Sequence, residues 1–304
     1  MRIAVVGAGA LGLYYGAMLQ KGGHEVCFLL RRDLETIPKN GLSVFSINGD
    51  FKLFPVAGYG SSEEIGMVDL VLVGLKTFAN QSYRQLITPL LKDNSIILTL
   101  QNGLGNEEAL AEIFGSERIM GGVAFLCSNR GEPGVVHHLG AGRIILGEYA
   151  RPYMDRAESV AAMFSMAGVP CQAVTDLKKA RWEKLIWNIP FNGTCALLQK
   201  PVNVLLSNQR TRCLLRDIMF ELIQAANCQS LSNPIPMAYA DEMLDFTDAM
   251  GHYKPSMQID REEGRELELE AIFARPLDAA RQKGIIMPRV EALHALLEES
   301  TSRS

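Results

Sequence analysis

The 304-residue chain has no cysteine framework, no long apolar run and no large excess of either charge. Its six cysteines, Cys27, Cys127, Cys171, Cys195, Cys213 and Cys228, form no C-x-x-C pair. That argues against a disulfide scaffold or a thiolate zinc site and fits free thiols in a reducing cytoplasm. Histidines are equally unclustered; His137 and His138 are adjacent, so in a strand they face opposite ways, and no metal is expected. The apolar runs are broken by glycine or charge well short of the ~20 residues of a spanning helix. A formal charge of −4 provides no basic stripe. Neither a membrane nor a nucleic acid is therefore an expected partner. The opening "MRIAVVGAGALG" carries one charge, Arg2, and reads as a strand entering a glycine turn rather than a signal peptide. There is no repeat, no low-complexity tract and no Gly/Ser- or Pro-rich linker.

What is present is an ordinary globular composition, 48% hydrophobic and 21% charged, over a length that suits two domains. Short aliphatic runs at 2–7, 24–30, 69–75 and 95–100 read as strands buried on both faces. Helical stretches at about 11–21 and 79–91 alternate with them, which predicts a mostly parallel α/β sheet. Shorter strands are expected in 119–147 ("GVVHHL", "RIILGE"), a helix at 158–168 and a last strand at 169–174. From Asp176 the strand signals stop, and amphipathic segments follow at about 176–198, 207–231, 236–249, 256–283 and 287–300. The expectation is a dinucleotide-binding Rossmann domain over 1–175 and an all-helical domain over 176–304.

"GAGALG", comprising Gly7, Ala8, Gly9, Ala10, Leu11 and Gly12, fits G-x-G-x-x-G between a strand and a helix. The first glycine makes the tight turn, the second admits a pyrophosphate to the backbone, and the third lets helix and strand pack closely. The helix N-terminus adds amide donors and a partial positive charge. At the end of the second strand an acid selects the ribose hydroxyls of NAD, whereas arginine accommodates the 2′-phosphate of NADP. Here "LLRRD" puts Arg31 and Arg32 ahead of Asp33, which favours NADP through Arg31, with Arg32 as a solvated bystander. Lys76 and Asn102 each follow a strand, at carboxyl ends where ligands bind in open α/β sheets; a surface charge and a turn dipeptide are the rival readings.

In "ARWEKLIWNIPFNG", Lys184, Asn188 and Asn192 recur every fourth residue and share a helical face with Ala180, Arg181 and Trp187. Partial desolvation there would loosen the lysine's proton, and the carboxamides could orient a substrate without adding charge. A snorkelling lysine and two helix-end polar residues are the structural alternative. Pro190 is expected to kink the segment between the asparagines. In "KPSMQIDREEGRELELEAI", helical spacing groups Glu268 with Met257, Gly264, Ala271 and Ile272. Arg261 and Arg275 are rival salt-bridge partners for it, and Ser256 sits where an N-cap would.

Together these features resemble the ketopantoate reductase (2-dehydropantoate 2-reductase) family over nearly the whole chain. The resemblance rests on "GAGALG", the arginine after "HEV" and its strand, "LK" at 75–76, "QNG" at 101–103, K-x-x-x-N-x-x-x-N at 184–192, and "SM" with a glutamate twelve residues after the serine. Val202 and Leu267 depart from the family pattern. The resemblance implies a Rossmann domain joined to a helical domain of the 6-phosphogluconate dehydrogenase type. It also implies NADPH-dependent reduction of a 2-keto acid between the two, in pantothenate and coenzyme A biosynthesis. By position, Lys184 would be the general acid and Glu268 a catalytic-site ligand for a substrate hydroxyl. Asn102, Asn188, Asn192 and Ser256 would position substrate and nicotinamide, Lys76 would line the cofactor site, and Arg31 would hold the 2′-phosphate. The expected partner is a small-molecule 2-keto acid, and a homodimer is compatible with the sequence. A related β-hydroxyacid or opine-type dehydrogenase and a catalytically silent NADPH sensor are the alternatives. The sensor would have no need of both Lys184 and Glu268.

Overall fold

A computed structural model describes residues 1–150 and 154–301. Contacts divide it into two units, Met1–Gln101 with Asn106–Leu177, and Asn102–Gly105 with Lys178–Ser304.

The first unit is built on a ten-stranded sheet. Its strands are β1 (Arg2–Val6), β2 (Glu25–Leu29), β3 (Leu42–Ser46), β4 (Phe51–Leu53), β5 (Ala57–Tyr59), β6 (Val68–Val73), β7 (Leu91–Thr99), β8 (Ile119–Arg130), β9 (Val135–Glu148) and β10 (Cys171–Ala173). The order is β4-β3-β9-β8-β7-β6-β1-β2-β5, with β10 beside β9. Six strands from β5 to β8 are parallel, and the chain runs one way from β1 to β2 and the other way from β6 to β8. The reversal between β1 and β6 is the topological switch point of a doubly wound sheet. Strand β1 shows why the runs are continuously apolar: Ile3 and Val5 enter one core layer, Ala4 and Val6 the other.

The sheet is larger than the apolar runs predict. Strands β3 to β5 lie in 42–59, where short polar-rich segments give no strong period. In 119–148 two long antiparallel strands, β8 and β9, replace the expected short ones. Their glycines lie inside strands as well as at turns, and the ladder shifts register between Phe125 and Leu126 and again between Cys127 and Ser128. His138 is buried while His137 stacks on Phe45, so the adjacent histidines do face opposite ways. The expected helix at 79–91 is a 3₁₀ turn (Thr77–Ser82), a short α-helix (Tyr83–Ile87) and a second 3₁₀ turn (Thr88–Leu90). Pro89 at the start of that last turn explains the break.

The second unit is helical. Its longest helix, Leu177–Leu198, continues past Pro190, and its flanks are held by a core that includes Trp182, Ile186, Ile189 and Phe191. Packing of this kind overrides the ~3 kcal/mol local penalty of an internal proline. Helices Val202–Ser207, Gln209–Asn227, Tyr239–Asp248 and Pro288–Thr301 complete the bundle. The segment expected as one helix over 256–283 is broken instead. Helix Ser256–Glu262 ends at Gly264 with φ +67°, and the chain re-enters as a π-turn, Glu270–Ala274, before helix Arg275–Arg281.

Candidate active site

The glycine loop leaves β1 at the switch point, and its three glycines have different causes. Gly7 has φ +102°, and a Cβ there would lie 2.4 Å from the Leu75 nitrogen. A Cβ on Gly12 would lie 2.2 Å from the Gly7 carbonyl oxygen. Both positions are fixed by the protein's own backbone. Gly9 is different. Its φ is −79°, and a Cβ would meet nothing within 4 Å. Neither strain nor packing within the chain asks for glycine there, so the space is shaped for something else to approach. Gly9 is also the N-cap of helix Ala10–Lys21, which has no side-chain cap and no acid in its first turn. Ala10, Leu11 and Gly12 therefore begin a helix whose first amides lack partners within it, a start that an anion would satisfy. Ala8 and Gly9 are both partly exposed. The fit to a dinucleotide pyrophosphate is good.

Lys76 lies two residues beyond Gly74, whose amide donates to the Val6 carbonyl at 2.8 Å, so it stands at the carboxyl end of β6. Arg31 is exposed beyond β2, and among the described residues its guanidinium has no hydrogen-bond or ion-pair partner. Arg32 is exposed too but is less of a bystander than expected, because it donates to the Gly131 carbonyl at 3.0 Å. Asp33 is removed as a ribose ligand. It is 1% exposed, paired with Arg130, and accepts the Gly134 amide at 2.9 Å.

A polar chain that sequence reading missed closes the base of the 102–105 loop. Tyr83 and Thr99 donate to Gln101 Oε1 at 2.6 and 2.9 Å, Gln101 donates to Asn80 at 2.8 Å, and Asn80 donates to Asn106 at 3.0 Å. The signal was available in "QNG", where only the asparagine drew notice.

In the second unit, Lys184 Nζ donates to Asn102 Oδ1 at 2.6 Å. Asn102 is held there by its neighbours. Gly103 has φ +83°, with room for no Cβ because the Ala271 carbonyl oxygen would lie 2.3 Å away, and the Leu104 amide donates to that same oxygen at 2.9 Å. One turn along the lysine helix, Asn188 is 3% exposed, and its carboxamide has no hydrogen-bond partner among the described residues. Trp187 is anchored by its indole N–H on Thr247 Oγ1 at 2.8 Å. Cys195, farther along the helix, is no nucleophile: burial pushes its thiol up to about 12.

Three expectations for this region change. Asn192 Oδ1 accepts the Met257 amide at 3.3 Å, so it caps helix Ser256–Glu262 from another element. Ser256 is therefore not the N-cap; it is the first helical residue, exposed, and makes no capping bond. Glu268 does not share a helical face with Met257 and Gly264, because the helix ends between them. It is 6% exposed, and the two rival arginines are engaged elsewhere: Arg261 donates to the Ser300 carbonyl at 2.6 Å, and Arg275 pairs with Glu270 at 2.9 Å.

The first unit thus carries a glycine loop of the dinucleotide-binding kind, and the second a lysine bonded to a carboxamide. Comparison with known proteins identifies the family. The family described as ketopantoate reductase PanE/ApbA matches residues 3–151, and its C-terminal counterpart matches 176–300. The chain belongs to the ketopantoate reductase family. It is 41% identical to a 2-dehydropantoate 2-reductase of a Nostoc species, over 98% of this chain and 94% of that one. Among solved structures it resembles a 2-dehydropantoate 2-reductase from Geobacter metallireducens GS-15, with 66% identity, TM-score 0.98 and coverage of 99% and 100%. A second, from Methylococcus capsulatus, has 31% identity, TM-score 0.90 and coverage of 100% and 99%. At 22% identity, D-mandelate dehydrogenase with NADH and anilino(oxo)acetate shares the fold, with TM-score 0.89 and coverage of 99% and 98%.

The contrast between glycines gives a test specific to this ketopantoate reductase family member. Gly9→Ala should change stability by less than ~0.5 kcal/mol, since the methyl meets no protein atom. It should weaken dinucleotide binding by ~1–3 kcal/mol, the usual cost of overpacking a contact. Gly12→Ala should instead lower the melting temperature, because its methyl meets the Gly7 carbonyl. Thermal unfolding and cofactor titration of both variants check this; a Gly9→Ala protein that binds like wild type would remove the pyrophosphate from the loop.

Proposed function

We propose that this chain reduces 2-dehydropantoate to pantoate with NADPH. The observation that carries the reading is the 2.6 Å bond from Lys184 to Asn102, on a loop locked by the Ala271 carbonyl. The names and the full-length similarity of the relatives support the substrate. When bound, the dinucleotide would supply the hydride, and the remaining roles fall to the chain. The glycine loop and the first turn of helix Ala10–Lys21 hold the pyrophosphate, and Lys76 lines the same end of the sheet. Arg31, exposed and without a side-chain partner among the described residues, takes the 2′-phosphate. Lys184 gives a proton to the ketone oxygen as negative charge develops on it, so hydride and proton together make the 2-hydroxy acid. Asn102 fixes the direction of the ammonium, while Asn188 and Ser256 bond the substrate. Asn192 acts through the helix that carries Ser256. Glu268 accepts a bond from the substrate's own hydroxyl. No helix among the described residues is long and apolar enough to cross a membrane. The biosynthetic role proposed carries a cytoplasmic location.

Lys184→Ala should lower kcat by ~10²–10⁴-fold, the contribution of a positioned acid, with NADPH affinity little changed. Steady-state kinetics with a parallel NADPH titration decide it; a variant that keeps most of its turnover excludes Lys184 as the acid.

Glu268→Ala should cost ~1.5–3 kcal/mol in kcat/KM for 2-dehydropantoate, roughly ten- to hundredfold. A 2-keto acid lacking the hydroxyl should lose far less. Equal losses on the two substrates would mean that the carboxylate only supports the fold.

Arg31→Ala should weaken NADPH by ~1.5–3 kcal/mol while barely affecting NADH, because charge-assisted bonds to a phosphate are the stronger kind. Binding of both cofactors at one salt concentration is the measurement. A wild type that prefers NADH would overturn the phosphate assignment.

A further inference from the structure

Asp33 stands at the end of β2, about 20 residues past the glycine loop, where an acidic residue would bond the ribose hydroxyls of an unphosphorylated dinucleotide. In this chain that carboxylate is fully engaged. Oδ2 pairs with Arg130 Nη2, Oδ1 accepts the Gly134 amide at 2.9 Å, and the residue is 1% exposed. Arg130 ends β8 and Gly134 lies in the turn joining it to β9, 97 and 101 residues away in sequence. The same turn takes a third bond, from Arg32 to the Gly131 carbonyl. The tip of the hairpin is thus fastened to the segment that carries Arg31.

Arg130 gains little for itself there. Its Nε–H is buried with no acceptor. An ion pair with a buried carboxylate, a half-buried arginine and an orphaned donor is weak evidence of stabilisation. What the pairing achieves is local: it cancels and occupies the only carboxylate on the 31–34 stretch. The backbone of residue 33 is held independently, because its carbonyl accepts the amides of Thr36 and Ile37 at 3.1 and 2.9 Å. Releasing the side chain would therefore leave a carboxylate in the same place, now unpaired.

We propose that Arg130 is a specificity-determining positioning residue that selects the 2′-phosphorylated dinucleotide by masking Asp33. This rests on the reading of Arg31 as the phosphate ligand. With Arg130 in place, Arg31 meets the phosphate unopposed. With Arg130 removed, Asp33 repels the phosphate and accepts a bond from a ribose hydroxyl, so selectivity moves toward NADH.

The test is equilibrium binding of NADPH and NADH at one salt concentration, with thermal unfolding alongside. It covers wild type, Arg130→Met, Arg130→Lys, Asp33→Asn and the Asp33→Asn/Arg130→Met pair. Arg130→Met should lower the NADPH-to-NADH affinity ratio by at least about tenfold, since like charges brought together at a binding site are strongly disfavoured. Arg130→Lys should recover most of the ratio. Asp33→Asn and the double variant should both keep a ratio close to that of wild type, because neither has a carboxylate to unmask. Asp33→Asn also decides the matter if Arg130→Met is too unstable to assay. A ratio that falls in Asp33→Asn as well, or an Arg130→Met protein that weakens both cofactors equally, makes the pair purely structural and overturns the proposal. A wild-type preference for NADPH that depends on Arg31 but not on Arg130 overturns this inference alone. No preference in wild type overturns the cofactor reading beneath it.

Discussion

The carbonyl oxygen of Ala271 is the point on which the arrangement around Lys184 turns. In the π-turn Glu270–Ala274 the Arg275 amide bonds to Glu270 instead, and residue 276 is a proline with no amide to give. Ala271 is thereby left with an acceptor that no helical donor fills, and the Leu104 amide fills it at 2.9 Å. Gly103 lies flat against the same peptide, where any side chain would collide. These contacts fix the loop whose first residue, Asn102, meets Lys184. Glu268 lies three residues before Ala271, and its own carbonyl accepts the Ile272 amide at 3.2 Å. A single break in helical hydrogen bonding therefore joins the segment that carries the buried carboxylate to the loop that aims the lysine.

The two asparagines of the lysine helix show how one sequence motif divides between chemistry and scaffolding. Asn188 and Asn192 have the same burial and the same spacing. Yet Asn192 spends its oxygen on the Met257 amide, one of the four that a helix start leaves unsatisfied, while Asn188 has no such employment among the described residues. Neither amide atom of Asn188 is a fully buried unsatisfied group, so the carboxamide stays open to water or a ligand. On the proposed mechanism this makes Asn188 the substrate contact and Asn192 the residue that presents Ser256.

Much of the first unit could be read in the residues, because its central strands are buried on both faces and so are continuously apolar. The glycine loop was legible for the same reason: a strand must end and a helix begin within a few residues, and Gly7 and Gly12 are compelled by backbone approach. The β8–β9 hairpin was hidden because its glycines mimic turns, and the two register shifts scramble its alternation. The fate of Asp33 could not be read locally, since its partners lie about a hundred residues away. In the second unit, helical spacing placed Lys184 and its asparagines on one helix. It misplaced Glu268, because a 100° period was carried through Gly264, whose φ of +67° ends the helix. Pro276 lies beyond that break, inside the helical run that restarts at Leu269, and accounts only for the π-turn.

That residue 102 is an asparagine bears on how Lys184 would work as an acid. A carboxamide oxygen takes one ammonium proton and fixes the direction of the side chain while leaving its full positive charge. An aspartate there would bind the same proton more tightly and cancel that charge in the ground state. Only interactions stronger in the transition state than in the ground state accelerate the chemical step. On the proposed mechanism the oxygen that gains charge is the substrate's ketone. A neutral residue at 102 adds no charge of its own to compete with that oxygen as it becomes an alkoxide. The Ala271 carbonyl, by locking the loop, keeps that neutral residue from drifting, so its orientation is fixed by backbone bonding.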